Sequence, residues 1–166
     1  VSDSFGKVWR LPRGAAALEP WLADARLAPS QPSGFGANGI ALDGAGHLYV
    51  STNSDGRLLR IAVGADGAAG AVEEIAVTPA LAAPDGLRAL DARTLLVAEH
   101  GGRLTKIVVD GTSARAEALA SDLKGPTSLA VVDGQAWVTE GQLGVLFGLV
   151  QGGPSLPFTL RRIALR

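Results

Sequence analysis

The chain has 166 residues, enough for one domain with a sizeable core, and a formal net charge of −1 from 15 basic and 16 acidic side chains. No basic stripe marks a nucleic-acid surface, and no apolar run is long enough to span a bilayer, so neither nucleic acid nor membrane is an expected partner. The absence of Cys excludes disulfides, thiolate ligands and a Cys nucleophile.

From the N-terminus, short runs rich in Val, Leu and Ile alternate with Gly, Asp and Pro, the pattern of many brief strands and tight turns. Residues 1–22 hold the end of one strand and then two more. Within them, 15–23 reads as either a short helix or an outer strand, because Pro20 precedes the apolar pair Trp21-Leu22. Residues 27–35 carry Pro29, Pro32 and Gly34 and read as a long connecting loop. Strands are then predicted in three sets of four: 39–43, 47–51, 57–63 and 73–77; 87–90, 94–98, 104–109 and 114–119; 128–132, 136–139, 145–150 and 158–163. Asp43-Gly44, Asp55-Gly56, Asp66-Gly67, Asp110-Gly111 and Asp133-Gly134 punctuate them, and Asp-Gly suits hairpin turns because both residues tolerate positive φ.

These sets repeat. A Val closes one strand, a short polar turn follows, then Gly opens a basic and apolar strand. The copies start at Val1, Val50 and Val97, with a weaker copy at Val138, at separations of 49, 47 and 41 residues. Such periods belong to propeller blades of four strands. With the strands of a blade named A to D from inner to outer, the expectation is a single all-β propeller domain over 1–166. It would have about three and a half blades: a partial one at 1–25 and full ones at 38–78, 85–120 and 127–165. A four-bladed ring with a degenerate first blade is the alternative. The absence of Met, initiator included, favours a processed or truncated chain completed by further N-terminal blades or by a second chain.

In a propeller, the D-to-A and B-to-C connections emerge on one face. That places Asn38, Asp85 and Thr127 beside Asp3, Asn53, Glu99, His100 and Glu140 at the mouth of one channel. Most of these carry oxygen, the donor type that hard cations prefer. Asn38-Gly39 and Asp85-Gly86 stand at equivalent places in consecutive blades. Each dipeptide alone is an ordinary turn signal, but the pair can share an ion. Glu99-His100 reads first as a solvated turn, Arg57, Arg60, Arg103 and Lys106 as outer-surface charge, and Trp9, Trp21 and Trp137 as packing between blades. Ser51, Ser54 and Ser128 lack the context of a serine nucleophile. Residues 64–70 lack the Lys of a phosphate-binding loop and read as a hairpin turn.

The segment Gly34-Phe35-Gly36-Ala37-Asn38-Gly39-Ile40-Ala41 with Leu48-Tyr49-Val50-Ser51 resembles the SMP-30/gluconolactonase/LRE-like family. So do Ala83-Pro84-Asp85-Gly86-Leu87 with Leu95-Leu96-Val97-Ala98, and the opening Ser2-Asp3-Ser4-Phe5-Gly6-Lys7-Val8-Trp9-Arg10. Propellers with NHL-type repeats share the strand pattern. The resemblance implies the C-terminal part of a six-bladed ring and a metal-dependent hydrolase acting on a lactone or sugar-acid ester. It implies one divalent ion, Ca²⁺ or Zn²⁺, held by Asn38 and Asp85, with Asp85 also the base that activates water. Asn53, Glu99 and His100 would line the channel mouth around a small-molecule substrate. The family's metal-binding Glu has no match here, so this chain alone is expected to lack lactonase activity. The family's Trp in the strand after the Asp-Gly motif is also absent from Asp91-Ala92-Arg93-Thr94-Leu95-Leu96-Val97.

Two other functions stand beside this one: a non-catalytic propeller that binds a ligand or protein on the channel face, and a strictosidine-synthase-like propeller without the metal pair. The Ala, Gly and Arg content points to a GC-rich bacterial source and a soluble chain, compatible with export but not requiring it.

Overall fold

The computed structural model describes residues 1–165, and it is all-β apart from two short helical turns. The strands are β1 (Ser2–Asp3), β2 (Lys7–Arg10), β3 (Glu19–Ala23), β4 (Ala37–Leu42), β5 (His47–Thr52), β6 (Leu58–Val63) and β7 (Ala69–Thr78). There follow β8 (Pro84–Ala89), β9 (Thr94–Glu99), β10 (Arg103–Asp110), β11 (Ser113–Ala120), β12 (Pro126–Val132), β13 (Gln135–Glu140) and β14 (Leu160–Ala164). A 3₁₀ turn spans Ala25–Leu27 and a one-turn helix, α1, spans Leu143–Leu146. Among the described residues, no helix is long and apolar enough to cross a membrane.

Consecutive strands pair antiparallel, giving two four-stranded blades, β4–β7 and β8–β11, flanked by the three-stranded sheets β1–β3 and β12–β14. The two full blades also meet at their outer strands, where β7 and β11 pair in parallel over three residues. The inner strands converge: β4 packs on β8, and β8 on β12.

Strand alternation explains how blades stack. In β5, Tyr49 enters the core shared with the following blade, while Leu48 and Val50 face the preceding sheet. In β9, Leu95 and Val97 face back and Leu96 and Ala98 face forward. Period-2 side chains on a strand buried on both faces therefore feed two cores at once. Three cores result, one for each junction between neighbouring sheets.

One open reading is decided and one predicted element differs. Residues 15–23 resolve as an outer strand: β3 begins at Glu19, and its Pro20 is tolerated at a sheet edge beside a register shift. Residues 145–150 are not a strand. Leu143–Leu146 coils into α1, and the third strand of the last sheet is β14, so 127–165 supplies three strands rather than four. Leu160-Arg161-Arg162-Ile163 reproduces Leu58-Leu59-Arg60-Ile61 better than Val145-Leu146-Phe147-Gly148 does, and Ile163 packs on the third core. Trp21 packs between the first two sheets and donates from Nε1 to the Gly67 carbonyl at 2.7 Å. Trp137 lies on the outer face of β13 and is partly exposed, with Arg162 over its ring.

Close approach of inner strands requires glycine. A Cβ on Gly39 would stand 2.2 Å from the Asp85 carbonyl oxygen, and one on Gly86 would stand 2.6 Å from the Ser128 Cα. Ala at either position must push a neighbouring blade away. We expect Gly39→Ala and Gly86→Ala each to cost about 1–3 kcal/mol in urea unfolding, as overpacking does. Gly101→Ala, which meets nothing within 4 Å, should change stability by no more than about 0.5 kcal/mol. Equal effects at all three sites would contradict the packing argument.

Candidate active site at the channel mouth

One backbone tie recurs in three sheets. The residue after β5, Asn53, donates its N–H to the Gly36 carbonyl at 2.9 Å; after β9, His100 donates to Ala83 at 3.0 Å; after β13, Gly141 donates to Gly125 at 3.1 Å. Each acceptor lies two residues before Asn38, Asp85 or Thr127. Every tie therefore sets one B-to-C turn beside the start of one inner strand, and the mouth presents three pairs: Asn38 with Asn53, Asp85 with His100, Thr127 with Gly141.

Asn38, Asp85 and His100 come together. The Asp85 carboxyl is pushed above its usual range by burial, against the opposing pull of the His100 charge and a hydrogen bond from the Asn38 amide. His100 Nε2 is buried and has no hydrogen-bond partner. An unpaired buried donor or acceptor is uncommon and costly, so its presence beside a raised carboxyl makes this the candidate site.

The other predicted mouth residues are engaged elsewhere. Asn53 Nδ2 donates to the Pro84 carbonyl at 3.2 Å, tying two blades. Asp3 accepts from the Phe5 N–H at 2.9 Å and from Trp9 Nε1 at 3.0 Å. Thr127 and Thr139 share a hydroxyl contact at 2.9 Å. Glu99 is 1% exposed and does not line the mouth. Its carboxylate accepts from the Ala82 N–H at 2.5 Å, Arg103 Nη2 at 2.7 Å and the Thr105 hydroxyl. Glu140 repeats this arrangement with the Lys124 N–H at 2.9 Å, the Thr159 hydroxyl and Arg161. Both carboxylates hold the D-to-A connection of their own sheet onto the end of its B strand.

The sequence reading gave no role to Ser51. Its hydroxyl is buried and unpartnered, and it would lie 2.6 Å from a Cβ at Gly39. Ser2 occupies the equivalent position and donates to the Asn38 carbonyl at 2.6 Å. That equivalence was visible in the repeat, where Val1-Ser2 aligns with Val50-Ser51.

No family's sequence model matches the chain, and no curated protein matches it. Among solved structures, a gluconolactonase from Xanthomonas campestris superposes with a TM-score of 0.58 at 19% identity, over 80% of this chain and 40% of its own. The chain has the β-propeller fold. A virginiamycin B lyase from Staphylococcus aureus superposes with a TM-score of 0.55 at 17% identity, over 82% of this chain and 43% of its own. The propeller described here thus spans less than half the length of either.

Among the described residues, no three His, Asp or Glu side chains cluster as a metal set. Asn38 and Asp85 nonetheless fit part of one: a side-chain amide and a half-buried carboxyl meet, both with oxygen to offer, and the unpartnered His100 Nε2 borders them. A cation there would relieve the unfavourable burial of the Asp85 charge.

The Glu140 latch gives a pH prediction. Burial pushes its carboxyl up, but the Thr159 hydroxyl, the Lys124 N–H and the charges of Arg161 and Lys124 outweigh that and hold it below the usual range. A carboxyl lowered on folding stabilises the protein above its unfolded pKa, and that stability is lost as pH falls through the folded value. Glu140→Ala should therefore cost about 1–3 kcal/mol at neutral pH by orphaning buried donors. In paired denaturation curves the gap to wild type should narrow below roughly pH 4. A gap independent of pH would show that the latch does not act through its charge.

Proposed function

We propose that this propeller is part of a hydrolase of the gluconolactonase type, acting on a lactone or sugar-acid ester. The observation that carries the reading is the convergence of Asn38, Asp85 and the unpartnered His100 Nε2 at one channel mouth. A half-buried carboxyl whose pKa is raised by desolvation is better suited to taking a proton than an ordinary one. In this mechanism Asp85 accepts a proton from water as the water oxygen bonds to the carbonyl carbon. The ring C–O bond then breaks, and the proton passes from Asp85 to the departing alkoxide, leaving a hydroxy acid. His100, facing Asp85, stabilises the carboxylate before the first transfer and after the second. The Asn38 amide donates to Asp85 and holds its orientation. Ca²⁺ or Zn²⁺ held by Asn38 and Asp85 would supply polarisation of the carbonyl oxygen.

The test is lactone hydrolysis by the full-length polypeptide that carries this chain, followed by acid release with added Ca²⁺ or Zn²⁺ and with EDTA. Asp85→Asn should lower kcat by about 10²–10⁴-fold, the range for loss of a general base. Asn38→Ala should weaken metal binding in calorimetry. Ligand binding without turnover in the wild type would sink the hydrolase and leave a propeller that binds on its channel face.

A further inference from the structure

The connection between β13 and β14 departs from its counterparts. In the two full blades the B-to-C connections are tight turns, 53–57 and 100–102, whereas here residues 141–159 intervene. Every B-to-C connection opens at the channel mouth, so this insertion lies on the face that holds Asn38, Asp85 and His100. Long connections of this kind in compact domains are commonly binding loops or covers.

The insertion is closed and anchored. Gln142 Nε2 donates to the Ser155 carbonyl at 2.9 Å, and the Ser155 N–H donates to Gln142 Oε1 at 2.8 Å, which joins the loop's ends. Lys124 Nζ donates to the Ser155 hydroxyl at 2.8 Å. At its far tip, Phe147 meets Phe35 with ring centroids 6.1 Å apart. Phe35 lies three residues before Asn38, in the blade beyond the one that carries Asp85. The loop therefore leaves the last sheet, crosses the blade of Asp85 and His100, and touches the blade of Asn38.

Beneath it is a cavity of about 370 Å³, lined by His100, Lys124, Gln142, Val145, Leu149 and Val150 among others. That volume is at the small end of ligand sites, roughly 300–1,000 Å³. Lys124 and Gln142 are already engaged in holding Ser155. The lining left for a ligand is apolar, apart from His100. Ala83, whose carbonyl anchors the His100 turn and which stands two residues from Asp85, also borders the cavity.

We infer that residues 141–159 cover the Asp85–His100 site and that their underside binds an alkyl or aryl substituent of the ligand. The substrate class is then a lactone or ester bearing an apolar substituent rather than a bare polyhydroxylated sugar lactone. The inference rests on the hydrolase reading for the identity of the reacting group alone. The apolar subsite stands on the loop's own geometry.

The experiment compares γ-decalactone with γ-butyrolactone, binding being measured by calorimetry on the full-length Asp85→Asn polypeptide so that no turnover intervenes. Each methylene removed from water is worth about fourfold in affinity, so even partial burial of the longer lactone's alkyl chain should make it bind at least ~30-fold tighter. Leu149 is 76% exposed, so Leu149→Asp leaves folding intact and should reduce the preference to about threefold or less. Leu18→Asp, on the first sheet's connection, should leave it unchanged. Equal affinities for the two lactones, or a preference that survives Leu149→Asp, would overturn the cover. Turnover by the wild type separates the two ideas. A chain-length preference in binding without hydrolysis keeps the cover and removes the hydrolase. Hydrolysis without any preference keeps the hydrolase and removes the cover.

Discussion

The contact between neighbouring inner strands is the constraint on which the rest depends. β4 and β8 approach until a glycine on one faces the backbone of the next, Gly39 against the Asp85 carbonyl and Gly86 against Ser128. In the last sheet, where no further described strand packs on β12, the same position holds Ser128. Any side chain at Gly39 would widen the gap between the blades and separate Asn38 from Asp85. The cores between blades follow from the same approach. Only when inner strands touch do the blades lie close enough for Tyr49, Leu58, Leu87 and Leu95 to share one apolar cluster.

Buried carboxylates at blade ends need this frame too. Glu99 and Glu140 each receive a backbone N–H, a Thr hydroxyl and an Arg. A buried charge without such partners is strongly unfavourable, and with them it fixes one loop path. The latch holds the chain that leads into the inner strand, so the position of Asp85 is set from two sides. Its own blade restrains it through Glu99 and the Ala82 N–H, and the preceding blade through Asn53 and the Pro84 carbonyl.

Much of this was legible in the sequence, because a propeller repeats its signals. The Val-turn-Gly pattern located β5–β6 and β9–β10, and the spacing of Asn38 and Asp85 placed them at equivalent points. Asp85 and His100 came out as neighbours because blade topology alone puts B-to-C turns beside D-to-A loops. Glu99 was misjudged for a physical reason. Residues 99 and 100 are adjacent, and at the end of a strand adjacent side chains point to opposite faces, so only one could reach the mouth. The sequence does not say which one, because that depends on Thr105 and Arg103 across the hairpin. The error over 145–150 has a different origin. Val, Leu and Phe near Gly resembled a strand, but the register of β14 against β13 is decided by Ile163 filling the third core, a long-range fact.

The three mouth pairs show how one backbone arrangement distributes chemistry. Asn38–Asn53 offers amides, Thr127–Gly141 a hydroxyl and no second side chain, and Asp85–His100 an acid and an imidazole. The ties that hold the pairs are the same, so the differences are side-chain differences on a common frame. An acid beside an imidazole appears in only one of the three, and the loop insertion occurs in the sheet beside it. At Gly141 a Cβ would meet the Thr127 side chain at 2.7 Å, so this turn carries glycine where its counterparts carry Asn53 and His100. The insertion leaves from the sheet whose turn has no side chain, while the neighbouring short turn holds His100 beside Asp85. Separating the rigid Asp85–His100 pair from the apolar loop would let the loop's residues vary without disturbing the geometry on which the proposed proton transfer depends.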